Sequence, residues 1–214
     1  MEYVLGELCP TEVFRYFEEI SRIPRGSGNE TAVVDYIAGF AVSHGLEFYR
    51  DEADNILIRR NADKGREAAP CVVLQGHTDM VCQCNADIDH DFEKDPIELV
   101  IDNGFIKAKG TTLGGDDGIA CAYMMALLAS EGLDLPELEC LFTSSEEVGM
   151  LGAIAFDFSN VKSRLMINLD SEEEGTCVVS CAGGVRCELS CTCDTLAEAN
   201  KPMRIEIKGL CGGH

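Results

Sequence analysis

Positive charge is scarce in this chain: 17 Lys and Arg stand against 38 Asp and Glu, a formal net charge of −21. A field of that sign repels a phosphate backbone, which argues against nucleic acid as a partner. Long apolar runs are missing too, with no segment approaching the roughly 18 consecutive apolar residues of a membrane span. The opening MEYVLGELCPTEVFRYFEEI has no basic stretch leading into an apolar one, as an export signal would. A cytoplasmic protein with no membrane partner is expected. No G-x-S-x-G elbow occurs, against a Ser-His-Asp hydrolase, and TTLGGDDGIA lacks the Gly-Lys-Ser/Thr ending of a phosphate loop.

Cysteine is present but thin for a disulfide scaffold, at 12 of 214 residues in a chain rich in Val, Ile and Leu. The pairs Cys82/Cys84 and Cys191/Cys193 are spaced by one residue, not by the two to four common in structural zinc sites. Reduced, mostly buried thiols are the expectation. Apolar residues make up 46% of the chain and charged residues 26%, an ordinary globular balance. The length allows one full core, or one domain and part of another.

Two helical patterns open the chain: Val13, Phe14, Phe17 and Ile20 after a capping Thr11, then Val33, Val34, Ile37 and Phe40 up to Gly45, with Arg25–Asn29 joining them. Strands are expected at 47–50, 55–60 and 71–76, the last an apolar run suited to a central strand. Asp102-Asn103-Gly104 between two β-like runs signals a hairpin over 97–109, and DGIACAYMMALLAS, about 117–130, reads as a buried helix. LECLFTS, SRLMINL and CVVSCAG read as three further strands. This alternation is that of an α/β sheet with helices on its faces. After Gly183-Gly184 the strands alternate with one polar face, so a first segment is expected over 1–184 and the start of a second domain over 185–214. The ending GLCGGH has no closing helix and reads as part of something longer.

Four stretches end an expected strand, or open the helix after it, with metal-binding side chains: GHTD (His77, Asp79), LGGDDG (Asp116, Asp117), TSSEEVG (Glu146, Glu147) and NLDSEEEG (Asp170, then Glu172–Glu174). The carboxyl ends of strands in an open α/β sheet face the ligand crevice, so such residues can converge there. Taken singly, each is better explained as a turn or helix cap; four at strand ends shift the balance toward a site. Gathered, they would raise one another's pKa unless cations neutralised them. A calcium loop over Asp87, Asp89, Asp91 and Glu98 is set aside, because Phe92 occupies the position of the turn glycine.

Together GHTDMV, HDFEKDPI, KGTTLGGDDGIA, TSSEEVGMLGA, NLDSEEEG and GLCGGH resemble, in order along nearly the whole chain, the aminoacyl-histidine dipeptidases. These are a branch of the di-zinc metallopeptidase family that includes carboxypeptidase G and peptidase T. The resemblance implies a mixed sheet with helices on both faces, like that of zinc exopeptidases, followed by the start of an α+β lid and dimerisation domain. It implies two zinc ions, with cobalt or manganese as substitutes: His77, Asp116 and Asp170 on one, Asp116 bridging to a second that Glu147 also holds. Glu146 would be the general base, Asp79 the carboxylate orienting His77, and the Asp116–Asp117 peptide is often cis in the family. His214 would lie in the lid of a homodimer and reach the neighbouring subunit's site to stabilise the oxyanion. The implied activity is hydrolysis of dipeptides, of the Xaa-His type or more broadly. The family's further histidine on the second metal has no counterpart in this sequence, so little or no activity is expected of these 214 residues alone. The rival expectations are an N-acyl-amino-acid deacylase with the same metals and a non-catalytic metal- or peptide-binding fragment.

Overall fold

The computed structural model describes residues 3–171, 173–180 and 190. The chain divides into two units, Met1–Gly175 and Thr176–His214. The described residues of the second unit, 176–180 and 190, carry no regular secondary structure. The expected boundary at 184/185 lies outside the described residues, as do His214, Glu172 and the Cys191/Cys193 pair.

The first unit runs α1 (Thr11–Ser21), α2 (Thr31–Ser43), β1 (Glu47–Arg50), β2 (Ile56–Arg60), β3 (Val72–His77), β4 (Leu99–Asp102), β5 (Phe105–Ala108), α3 (Gly115–Ala129), β6 (Leu138–Thr143), α4 (Leu151–Ala155) and β7 (Leu165–Asn168). Five strands form a mixed sheet in the order β1-β2-β6-β3-β7; β3 runs parallel to β6 and β7, while β2 is antiparallel to β1 and β6. β3 is therefore interior, as its apolar run suggests, but the middle place belongs to β6, in which all six residues are buried. The separate β4–β5 hairpin turns at Asn103-Gly104, both with positive φ (51° and 82°), as a two-residue turn matched to the strand twist requires.

Strand periodicity sorts the core into two layers. Ile56, Ile58, Leu74, Cys140 and Phe142 pack with Phe17, Ile20, Val34, Ile37, Met124 and Met125 of α1, α2 and α3. Leu57, Val73 and Leu141 face the other way, onto Phe156 and Val161 after α4. Among the described residues, the second face is covered by short elements only.

Three local expectations are corrected. Thr11 does not cap α1: it is the first helical residue, the cap position is Pro10, and no side-chain cap bond forms. Pro10 already enters with φ −74°, and Thr11, helical itself, no longer has the extended geometry that aims a cap oxygen at the first turn. No strand forms over the described part of CVVSCAG, residues 177–180, whose valines 178 and 179 are exposed. All seven described cysteines are free, but Cys9, Cys82, Cys84 and Cys177 are exposed and only Cys121 and Cys140 are buried, because the exposed four lie in loops. No helix among the described residues is long and apolar enough to cross a membrane.

The middle strand carries a buried acidic side chain at its second position. Glu139 is fully buried and accepts from Arg59 Nε (3.2 Å) and from the backbone N–H groups of Lys162 (2.9 Å) and Ser163 (2.9 Å), which pins the entry into β7. Glu139→Ala would leave those donors without an acceptor and Arg59 without its buried partner. We expect a loss of about 3 kcal/mol in chemical denaturation; a loss below about 1 kcal/mol, the range of an exposed pair, would contradict this reading.

Candidate metal centre

Because β3, β6 and β7 are parallel, their carboxyl ends lie at one edge of the sheet. The register pairs His77 at the end of β3 with Thr143 at the end of β6, and Gln75 with Asn168 at the end of β7. The chain leaving β6 carries Glu146 and Glu147, and the chain leaving β7 carries Asp170. The opening of α3 supplies Asp116 and Asp117, whose peptide bond is cis, as the family resemblance implies, and whose backbone is not helical. Convergence, which spacing could not establish, follows from the topology.

Ligand atoms of His77, Asp116 and Asp170 lie within 4.8 Å of one another, as do those of His77, Glu146 and Glu147. His77 belongs to both groups. Its Nε2 is 3.0 Å from Asp116 Oδ1 and 4.0 Å from Asp170 Oδ2. Its Nδ1 lies 3.1 Å from the Asp79 main-chain oxygen and 3.2 Å from Asp79 Oδ1, the side opposite the two carboxylates. Imidazole and carboxylates converging on one point are the donor set of zinc and similar divalent ions, so the residues fit a metal.

Asp79 is fully buried and does more than face His77. Its Oδ1 accepts the backbone N–H of Glu146 (2.9 Å), and its Oδ2 accepts the N–H of Glu147 (3.2 Å) and the Ser27 hydroxyl (2.7 Å). Burial works against its charge, but the His77 bond, the Glu146 N–H and Ser27 prevail and hold its pKa down to about 2. Burial likewise opposes protonation of His77, yet the Asp79 bond and the charges of Asp79 and Asp117 push it up to about 9. Asp117, buried and accepting the His77 N–H at 3.2 Å, rises to about 7 through burial, with Asp170 and Asp116 adding to the rise and His77 opposing it. Glu146 is raised by burial and by Asp170, Asp79 and Asp116; Glu147 is raised by burial and then chiefly by Asp116. A cation relieves this crowding of like charge.

Gly76 explains part of GHTD. A Cβ there would stand 2.5 Å from Asp117 Oδ2 and 2.9 Å from Ala120 Cβ, so only glycine lets the opening of α3 approach β3. The structure brings together His77, Asp79, Asp116, Glu146, Glu147 and Asp170, all six expected from the sequence, whereas Arg25–Asn29 is only a connection at the sequence level. Arg25 is buried there and donates through Nη1 to the carbonyls of Thr78 (2.9 Å) and Asp79 (3.1 Å) and through Nη2 to that of Gly114, joining the turn after β3 to the turn before α3. A buried arginine gives no periodic signal in a loop; the two glycines of RGSGNE were the only hint.

No protein-family model matches the chain. It is 42% identical over 212 residues to the cytosol non-specific dipeptidase of Escherichia coli (strain K12), a match covering 98% of this chain and 44% of that protein. Among solved structures, the aminoacylhistidine dipeptidase of Vibrio alginolyticus is 42% identical with a TM-score of 0.78, covering 80% of this chain and 35% of that one. A tripeptidase from Staphylococcus aureus shares the fold at 20% identity, with a TM-score of 0.65 over 78% of this chain and 45% of its own. The chain thus spans less than half the length of these relatives. Over the part that it spans, the chain is similar to both dipeptidases at 42% identity.

Proposed function

We propose that this chain carries the metal-binding and proton-transferring part of a dipeptidase centre, acting on dipeptides of the Xaa-His type or more broadly. The observation that carries the reading is the position of His77, shared by an Asp116–Asp170 group and a Glu146–Glu147 group within 4.8 Å. The names of the Escherichia coli and Vibrio relatives, both dipeptidases, support it. His77, Asp116 and Asp170 would hold one zinc, and Asp116 with Glu147 would hold a second. Bound there, a divalent ion supplies Lewis acidity, lowering the pKa of water and polarising the peptide carbonyl.

The chain's own residues do the rest. Glu146, whose pKa is raised by burial and by neighbouring carboxylates, takes a proton from the attacking water. The water oxygen bonds to the carbonyl carbon, the C–N bond breaks, and Glu146 returns the proton to the leaving amine. Asp79 keeps the His77 ring turned with Nε2 toward Asp116 and Asp170. His214 would stabilise the oxyanion in a neighbouring subunit, in a cytoplasmic homodimer formed through a lid beginning at 185.

Two outcomes test this. Zinc at about 100 times its Kd should stabilise the chain by about 2.7 kcal/mol in thermal or chemical unfolding, and His77→Ala should abolish that gain; an equal gain in the variant would contradict the site. Hydrolysis of Ala-His is best measured with this chain fused to the remaining portion of the Escherichia coli relative. There Glu146→Gln should lower kcat by roughly 10²- to 10⁴-fold at unchanged zinc content, and a fully active variant would remove Glu146 from the mechanism.

A further inference from the structure

The connection Arg25–Glu30 reaches three parts of the centre, and its last residue bonds the loop that bears Glu146 and Glu147. Glu30 is 5% exposed, and its Oε1 accepts both the backbone N–H of Ser145 (2.9 Å) and the Ser145 hydroxyl (2.8 Å). These contacts cross 115 residues of sequence. Ser145 has φ +50°, a left-handed conformation that a non-glycine residue seldom holds without outside restraint. Glu30 supplies the restraint at the residue directly before Glu146.

The side chain has no competing local task. The backbone of Glu30 sits at the N-cap of α2, but its carboxylate makes no cap bond to that helix. On the far side of the loop, the N–H groups of Glu146 and Glu147 are held by Asp79, whose Oδ2 is in turn bonded by Ser27 of the same connection. Ser144, on the near side, is fixed by its N–H to Asn55 Oδ1 (3.1 Å). The peptide from which the two glutamates project is thus clamped from both directions, and Glu30 is the clamp on Ser145.

We propose that Glu30 is a positioning residue for Glu146 and Glu147, setting their place relative to His77 without itself meeting metal or substrate. This rests on the reading of Glu147 as a metal ligand. The cost of losing such a support is typically 10- to 100-fold in metal affinity. Glutamine at position 30 keeps one oxygen for both Ser145 donors, so it should restore most of the function, whereas alanine should not.

The test uses the full chain with Co²⁺, followed by visible absorption, and with Zn²⁺ in competition with a chromogenic chelator. Glu30→Ala should weaken both by roughly 10- to 100-fold and shift the Co²⁺ spectrum toward that of Glu147→Ala, while Glu30→Gln should return affinity to within about threefold of the parent. If Glu30→Ala does not fold, Glu30→Asp makes the same test, because it keeps the charge and withdraws the acceptor by one methylene. A folded Glu30→Ala or Glu30→Asp with the parent's affinity and spectrum would overturn the proposal. If Glu147→Ala itself binds Co²⁺ as the parent does, the metal reading of the loop fails, and the proposal fails with it for that separate reason.

Discussion

The candidate centre depends on one buried carboxylate, that of Asp79. One oxygen faces His77 Nδ1 and takes the N–H of Glu146; the other takes the N–H of Glu147 and the Ser27 hydroxyl. A carboxylate fully removed from water is costly unless its lone pairs are filled, and here four donors fill them. The same four bonds orient the imidazole and fix the loop after β6, so ring and loop cannot be placed independently. His77 and Glu146 leave the ends of neighbouring parallel strands, far apart in sequence, and share one anchor.

The sheet brings that anchor to the right place. β3 and β6 run parallel with His77 opposite Thr143, and Thr78 continues the pairing by donating its N–H to the Thr143 carbonyl at 2.8 Å. Arg25 closes the third side by bonding the carbonyls of Thr78, Asp79 and Gly114, which sets the turn before α3 against the turn after β3. A Cβ at Gly114 would stand 2.4 Å from Arg25 Nη2, so LGG is as much a seat for this guanidinium as a bend in the chain. At Gly115 a Cβ would meet only Leu113, at an ordinary 3.5 Å. The fold therefore spends its irregular segments on the centre and its regular ones on the core.

Much of this was legible in the sequence, and the failures have physical causes. Period-3.6 and period-2 patterns located α1, α2, β1, β2 and β3, and Asn103-Gly104 located the hairpin, because those signals are local. The residue types at the strand ends were legible too. Their convergence was not, since it depends on β3, β6 and β7 being parallel neighbours. β6 was not recognised as the middle strand because Glu139 breaks its apolar run, and only the Arg59 side chain and the Lys162 and Ser163 amides make that charge tolerable. Ser27, Arg25 and Glu30 act through bonds spanning 52 to 115 residues, which no spacing rule reports.

Asp79 holds ring and loop together through its two oxygens. Asp79→Asn keeps the shape but turns one acceptor oxygen into a donor, which must then face His77 Nδ1–H, Ser27 or a backbone N–H. Zinc affinity measured together with amide hydrogen exchange is the most direct measurement. The account predicts an affinity loss of roughly 10- to 100-fold together with lost protection at the amides of Glu146 and Glu147. An Asp79→Asn chain with the parent's zinc affinity and unchanged protection at those two amides would contradict it.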